Sequence, residues 1–465
     1  MTPRRDARAT PLVYCVDFGS TFTKAALVDT HDGGLVGTAS HRTTIDTDVL
    51  DGWDAIRAEL SAGAGSQDVP VLACSSAGGG LRIAVVGNEE LVTAEAGRRV
   101  ALSSGGRVVH VSSYDVDLAA LRASDPDVVL LVGGTDGGNA EVLMRNARSL
   151  AQARWRGPVV VAGNADAVGE ISELFTANRV PFVVADNVVP RIGVLDPDSA
   201  RMAIREVFLR HVIGGKHLSR RADFTAMVKG ATPDVVLTAV ELLANGLRPG
   251  QPGKGDVVVI DVGGATTDVH SVVAVDPEEA GLAREVVATV PVSRTVEGDL
   301  GMRWSAVPTV EAAKAAGMTV SKRLLAAARE RRADPGLVPA TPARIKEDLE
   351  LASIALGLAV RRHAGRQQVV FSPDGRLVER TGKDLREVTL LIGSGGVLRH
   401  SPRADAQRVI AAGTGDHVAG GWLVPRNPKV VIDHDYVLAA AGLLAPGHLE
   451  TAYQLVRALA AGDAG

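Results

Sequence analysis

The chain has 465 residues, a formal net charge of −4 and 46% hydrophobic residues. That length exceeds one compact core and that apolar share excludes a disordered chain, so about two to four domains are expected. The mild acidity leaves no electrostatic footprint for nucleic acid, and having only two cysteines, Cys15 and Cys74, excludes a disulfide framework or a cysteine-rich metal cluster within the chain. No apolar run nears the roughly 18 residues of a membrane span, and no apolar leader core follows the basic start, so a cytoplasmic protein is expected.

Residues 12–16 form an apolar run that ends at Asp17. The turn Gly19-Ser20-Thr21 follows, then apolar runs at 25–28 and 35–39. The pattern predicts strand, glycine turn, strand, turn, strand. Gly19 lets backbone N–H groups converge on an anion, while Ser20, Thr21 and Lys24 add donors and a charge. Asp17, at the mouth of the first strand, suits a hydrated Mg²⁺. A helix over 51–61, a strand over 69–73 and another over 83–86 come next, then a helix over 89–103.

From about residue 106, strands at 107–111, 127–132, 158–162 and 181–185 alternate with helices at 115–123, 139–155 and 167–177. That alternation predicts a parallel sheet, and 106–195 reads as a doubly wound βαβ subdomain inserted in a larger body. Residues 133–139, Gly-Gly-Thr-Asp-Gly-Gly-Asn, suit either a phosphate loop or a plain βα turn. Residues 199–212 are amphipathic, and 233–245 form a helix closed by Gly246. Together 196–250 read as the helical return to the first domain, whose opening half is 1–105.

The second half, 251–465, opens as the first did. A strand over 256–260 runs into Asp-Val-Gly-Gly-Ala-Thr-Thr-Asp at 261–268, a partner strand covers 269–275, and a third covers 285–292. This echo implies two related domains facing each other. A mixed-charge loop spans 294–302 and contains Asp299. Helices at 309–316, 320–331 and 341–362 follow, the last with Pro342 in its first turn. A hairpin turns at Asp374-Gly375. A strand over 387–392 enters Gly393-Ser394-Gly395-Gly396, a short helix starts near 404, a strand covers 429–432, and a small-residue helix covers 436–444. His270, His400 and His434 lack metal-ligand spacing and read as surface or capping residues.

Three glycine turns thus follow three buried strands, and the first two each carry an Asp at the strand end and hydroxyls after the glycine. In this combination the chain resembles the actin, heat-shock-70 and sugar-kinase superfamily of ATPases. The resemblance implies an α/β fold of two facing actin-like (ribonuclease H-like) ATPase domains with the inserted βαβ subdomain. It implies that ATP or ADP lies between them. Gly19, Ser20, Thr21 and Phe22 would hold phosphate from one side, and Gly263, Gly264, Ala265 and Thr266 from the other. Gly393, Ser394, Gly395 and Gly396 would lie against the adenosine. Asp17, Asp261 and Lys24 would be catalytic, with Asp17 and Asp261 holding Mg²⁺ through water. Asp261 and Asp268 are candidates to orient the attacking water.

Within that superfamily the wording resembles the MutL/GlmL family, accessory proteins of glutamate mutase that are unrelated to mismatch-repair MutL. The resembling stretches are residues 16–24, 74–82, 91–96, 132–138, 261–270 and 295–301. They imply a slow ATPase that protects or reactivates an adenosylcobalamin-dependent mutase, its subunits being the expected partners. A homodimer is one option the sequence leaves open. A small-molecule kinase of the same fold, with Asp299 as its base, and a non-hydrolysing nucleotide scaffold are the rival readings. On this reading Asp17→Ala is expected to spare folding.

Overall fold

The computed structural model describes residues 12–61, 69–77, 81–88, 93–104, 106–213, 218–274, 291–372, 375–416 and 418–462. Its first sheet is built on Leu12–Phe18, which pairs antiparallel with Phe22–Asp29; that strand in turn pairs antiparallel with Leu35–Arg42. On its other side Leu12–Phe18 pairs parallel with Val71–Ser75, and Val71–Ser75 pairs parallel with Val228–Ala231. Numbered along the sheet, the order is 3-2-1-4-5.

The second sheet repeats that order. Val257–Val262 pairs antiparallel with Thr267–Val272 and that strand with Val292–Glu297; on the other side come Leu390–Ser394 and Lys429–Ile432, both parallel. The duplication expected from the two Asp-glycine motifs is therefore carried through five strands on each side. Two sheets of this order face to face make the α/β, actin-like fold.

Three sequence expectations shift. The third strand of the second sheet is Val292–Glu297 rather than 285–292, most of which lies outside the described residues. The periodicity of 294–297 was masked because Arg294 and Glu297 are charged yet turned toward the fold. Second, the inserted sheet includes Leu81–Gly87 at an inner position, in the order Gly106–Ser113, Leu81–Gly87, Val128–Leu131, Val159–Val161, Phe182–Val184. A boundary at 106 would separate two paired parallel strands, so the insert begins before Leu81. Third, Val228–Ala231, unassigned from sequence, closes the first sheet; its four residues, Val-Lys-Gly-Ala, are too short and mixed to read as a strand.

The core between the two halves is filled by helices from both, two of which meet at its centre. Thr232–Asn245 follows the fifth strand of the first sheet, and Val437–Leu444 follows the fifth strand of the second. Val235, Ala239 and Val240 from the first helix meet Leu438, Ala441 and Leu444 from the second, between Val13 and Cys15 of one sheet and Val257 and Val259 of the other. Cys15 is the small buried core residue expected. A second core packs the insert and Trp53 against the outer face of the first sheet. A third sits beneath the long helix Pro342–His363, whose first turn holds Pro342 and whose N-terminal N–H is capped by Thr341. Among the described residues no helix is long and apolar enough to cross a membrane.

The interhelical contact explains one glycine. A Cβ on Gly442 would lie 2.0 Å from the backbone oxygen of Val235, so the helices touch at closest approach with no room for a side chain. Gly442→Val should force them apart and cost about 3 kcal/mol. Urea denaturation of the variant checks this; an unchanged midpoint would mean that the helices separate freely.

Candidate functional site

The two Asp-glycine turns meet across a cleft. Gly19 and Gly263 occupy equivalent positions, and the same clash explains both. A Cβ on Gly19 would lie 2.6 Å from the Phe22 carbonyl oxygen, and one on Gly263 would lie 2.8 Å from that of Thr266. Each turn thus curls its carbonyl three residues on against the glycine, and in the second turn Gly263 N donates to that Thr266 carbonyl at 2.9 Å. The turns then touch: a Cβ on Gly264 would lie 2.3 Å from Thr21 Oγ1. That hydroxyl is buried and has no hydrogen-bond partner among the described residues.

Each turn is buttressed. Ser20 Oγ donates to the Ser76 carbonyl at 2.9 Å, and Thr43 Oγ1 donates to the Gly19 carbonyl at 2.8 Å. On the other side Met302 N and Arg303 N donate to the carbonyls of Gly263 and Gly264, and Ser305 Oγ donates to Ala265 O at 2.6 Å. The stretch read as a mixed-charge loop is therefore a strap beneath the second turn.

Both turns line one cavity of about 880 Å³, within the range of small-molecule sites. It takes in Asp17, Gly19, Ser20, Thr21, Phe22 and Lys24 from the first half, and Asp261, Gly263, Gly264, Ala265 and Thr266 from the second. Gly395 and Gly396 line it as well. Gly393 and Ser394 do not: they end the strand Leu390–Ser394, and a Cβ on Gly393 would run into Ile432, Leu398 and Ile410. Sequence spacing could not separate the strand glycine from the turn glycines two and three residues later.

Charge concentrates at the centre. Lys24 Nζ donates to Asp17 Oδ2 at 3.1 Å and stands 4.5 Å from the centre of the Tyr436 ring. Burial pulls the ammonium down, but the charges of Asp17, Tyr436 and Asp261 together with the hydrogen bond outweigh it and hold it above its ordinary value. Asp17 Oδ1 accepts from Thr232 Oγ1 at 2.6 Å and from the Cys74 thiol at 3.7 Å. Asp261 is raised by burial and by Asp17, with Lys24 and the Ser394 hydroxyl opposing. Burial pushes Asp268, across the strand pair from Asp261, up to about 7, with Arg294 opposing and Asp261 and Glu297 adding to the push. In the first half the residue opposite Asp17 is Lys24; in the second the residue opposite Asp261 is a carboxylate.

The donor set fits a hydrated cation better than a bare one. Among the described residues no three His, Cys, Asp or Glu side chains converge as a cage. Asp17 already spends both oxygens on protein donors, so Asp261 is the freer of the two carboxylates.

Several residues here were not singled out from sequence. Tyr436, at φ 55° just ahead of the helix Val437–Leu444, lies against both Lys24 and Arg399, whose Cζ is 4.1 Å from the ring centre. Asp433 sets that helix start by accepting from Val437 N and Leu438 N at 2.8 and 3.1 Å. Trp304, Val338 and Ile345, exposed by 48%, 68% and 38%, add apolar surface to the cavity lining. They come from three separate segments, so no local pattern could have grouped them.

Two expectations fail, and a third position resolves to one of its two readings. Asp299 is no base in this cleft: it is held by two hydrogen bonds from Arg362 at 2.6 and 2.8 Å and does not line the cavity. His270 is buried rather than superficial, with burial holding it well below its ordinary pKa. Finally, residues 133–139 form a sealed βα turn. Asp136 accepts from Asn187 and Ala165 N, and Asp166 accepts from Gly137 N, so carboxylates already stand where a phosphate would sit.

The Asp17–Lys24 pair also overturns the expectation that Asp17→Ala spares folding. The variant leaves a largely covered ammonium, 18% exposed, without its hydrogen-bonded partner, which costs about 1–3 kcal/mol. Adding Lys24→Met should return most of that loss. Denaturation of the single and double variants checks this; equal stability of wild type and Asp17→Ala would show that the pair carries no such strain.

The MutL protein family matches residues 13–459 of the chain. Protein MutL of Clostridium tetanomorphum is 37% identical over 456 residues, covering 95% of this chain and 97% of its own length. Among solved structures, a nucleotide-free acetone carboxylase is similar over 94% of this chain and 70% of its own, at 13% identity and a TM-score of 0.40. A ligand-bound xylulose kinase from Lactobacillus acidophilus is similar over 96% and 91%, at 12% identity and a TM-score of 0.34. With its described body matched almost end to end by one family and a relative at 37% identity, this chain belongs to the MutL protein family.

Proposed function

We propose that the cleft binds ATP with Mg²⁺ and hydrolyses it slowly, and that the resulting opening and closing of the two halves serves an adenosylcobalamin-dependent mutase as an accessory or reactivating factor. The observation that carries the nucleotide reading is the meeting of the two turns at Thr21 and Gly264, with an unpartnered hydroxyl between them. A phosphate chain is the ligand whose acceptor oxygens both turns would serve at once. The mutase role rests on the family resemblance.

On this reading the base lies against the apolar surface of Trp304, Val338 and Ile345 and against Gly395 and Gly396. The phosphates run toward Gly19–Thr21 and Gly263–Thr266. Asp261, helped by Asp17, would hold the water shell of a bound Mg²⁺, which would supply neutralisation of phosphate charge. Asp261 and Asp268, which both line the cavity, are the two candidates to orient the attacking water. No covalent intermediate is needed; catalysis is positioning and charge stabilisation. Loss of the terminal phosphate removes the group that bridges the halves, and the contact of Arg42 with Asp334 at 4.0 Å is placed to part with them.

Thr21→Val should leave stability unchanged, since the hydroxyl has no partner among the described residues, and weaken ATP binding. Asp261→Asn should fold and lose roughly 100-fold in hydrolysis rate. Phosphate-release assays and nucleotide titration check both; full activity in Asp261→Asn would refute the metal assignment. For the partner, the chain is used as bait with and without ATP. Nucleotide-dependent retention of a cobalamin mutase supports the accessory role. Efficient phosphorylation of a small acceptor, with no protein retained, would sink it.

A further inference from the structure

The cavity does not end at the phosphate turns. It continues along the strand Val292–Glu297, where Arg294 and Val296 share a face and Gly298 follows in step. Opposite stand Leu81 and Arg107 of the insert. A Cβ on Gly298 would lie 2.7 Å from Arg107 Cδ, so the glycine is what admits that arginine to the wall.

Arg294 is the unusual member. It is 1% exposed, it lines the cavity, and none of its three guanidinium nitrogens has a hydrogen-bond partner among the described residues. Burial lowers it only to about 10, so it remains charged at neutral pH. The acids that feel its charge are not in ion-pair contact with it. Asp234 is taken by Arg205, and Arg201, whose charge also acts on Arg294, is held by Glu241 at 3.2 Å. Asp268 is the nearest acid across the strands, and its Oδ1 is buried and unpartnered too. A buried charge with five donors and no acceptor is an arrangement that folding alone does not favour.

We propose that Arg294, Asp268 and Arg107 form a second subsite behind the phosphate turns, for a small oxyanion that carries its own hydrogen-bond donor. The guanidinium groups take the anionic oxygens, Arg294 from within and Arg107 from the insert side. The Asp268 carboxylate takes the ligand's O–H or N–H and repels an oxyanion that has none. Hydrogen phosphate, which keeps an O–H at neutral pH, and small hydroxy- or aminocarboxylates share this chemistry. Sulfate and acetate lack the donor. Because the insert supplies Arg107, occupancy would tie its position to that of the second sheet. The site does not depend on the nucleotide reading.

The test is calorimetric titration of the whole chain with phosphate, sulfate, glycolate and acetate, repeated after saturation with the ATP analogue AMP-PNP. Phosphate should bind at least about tenfold tighter than sulfate, or glycolate about tenfold tighter than acetate, with or without AMP-PNP. Arg107→Ala, a change at an exposed residue, should weaken that binding about tenfold. Asp268→Asn should abolish the discrimination while keeping affinity. Equal affinity for donor-bearing and donor-free anions, loss of the site when AMP-PNP fills the turns, or indifference to Arg107→Ala would each overturn the proposal. Failure of AMP-PNP itself to bind refutes the nucleotide reading and leaves this one to be decided by the two variants.

Discussion

A single ammonium group ties the two halves of this protein together. Lys24 projects from the first sheet, pairs with Asp17 beside it, feels Asp261 from the opposite sheet and rests on the ring of Tyr436 from the closing helix. It lines the cavity with 18% of its side chain exposed, so loss of any of these partners would leave its charge only partly solvated. The cleft floor is therefore held by electrostatics that both halves share. Its walls are backbone curls that both halves repeat.

The repetition is geometric as well as topological. Each half orders its strands 3-2-1-4-5, ends its first strand in an aspartate, and turns through a glycine that admits a carbonyl at under 3 Å from the missing Cβ. Each half then sends the helix after its fifth strand into the common core. The two halves differ where chemistry could differ. The position facing the strand-end aspartate is a lysine in one and a carboxylate in the other. One side of the cleft is internally neutralised, and on the other burial raises both carboxyls above their ordinary range beside the glycine turn.

The insert also bears on the cleft. Its sheet is parallel throughout and its glycine-rich turn at 133–139 is closed by its own side chains, so its link to the site runs through Leu81 and Arg107 instead. The strand Leu81–Gly87 leaves the first sheet's neighbourhood directly after Ser75 and Ser76, both of which line the cavity. Insert and first-sheet cavity wall are thus joined by a few residues of chain. The strap at 298–305 connects the same region to the second turn.

The amino-acid sequence alone determined the duplicated strand–aspartate–glycine pattern, the alternating insert, the long helix behind Pro342 and the family resemblance. Each is written in local order: apolar runs, turn glycines and strand-end carboxylates lie within a few residues of one another. Only the tertiary structure decided how the charges are shared. That Asp17 is spent on Lys24, Thr232 and Cys74, that Asp299 is turned away to Arg362, and that Arg294 is buried without a partner depend on groups far apart in the chain. The same holds for the apolar surface of Trp304, Val338 and Ile345, and for the division between Gly393 in the strand and Gly395 at the cavity. A side chain's type limits what it can do, but its burial and its neighbours decide which charge state and which partner it has, and those are set when distant strands are brought side by side.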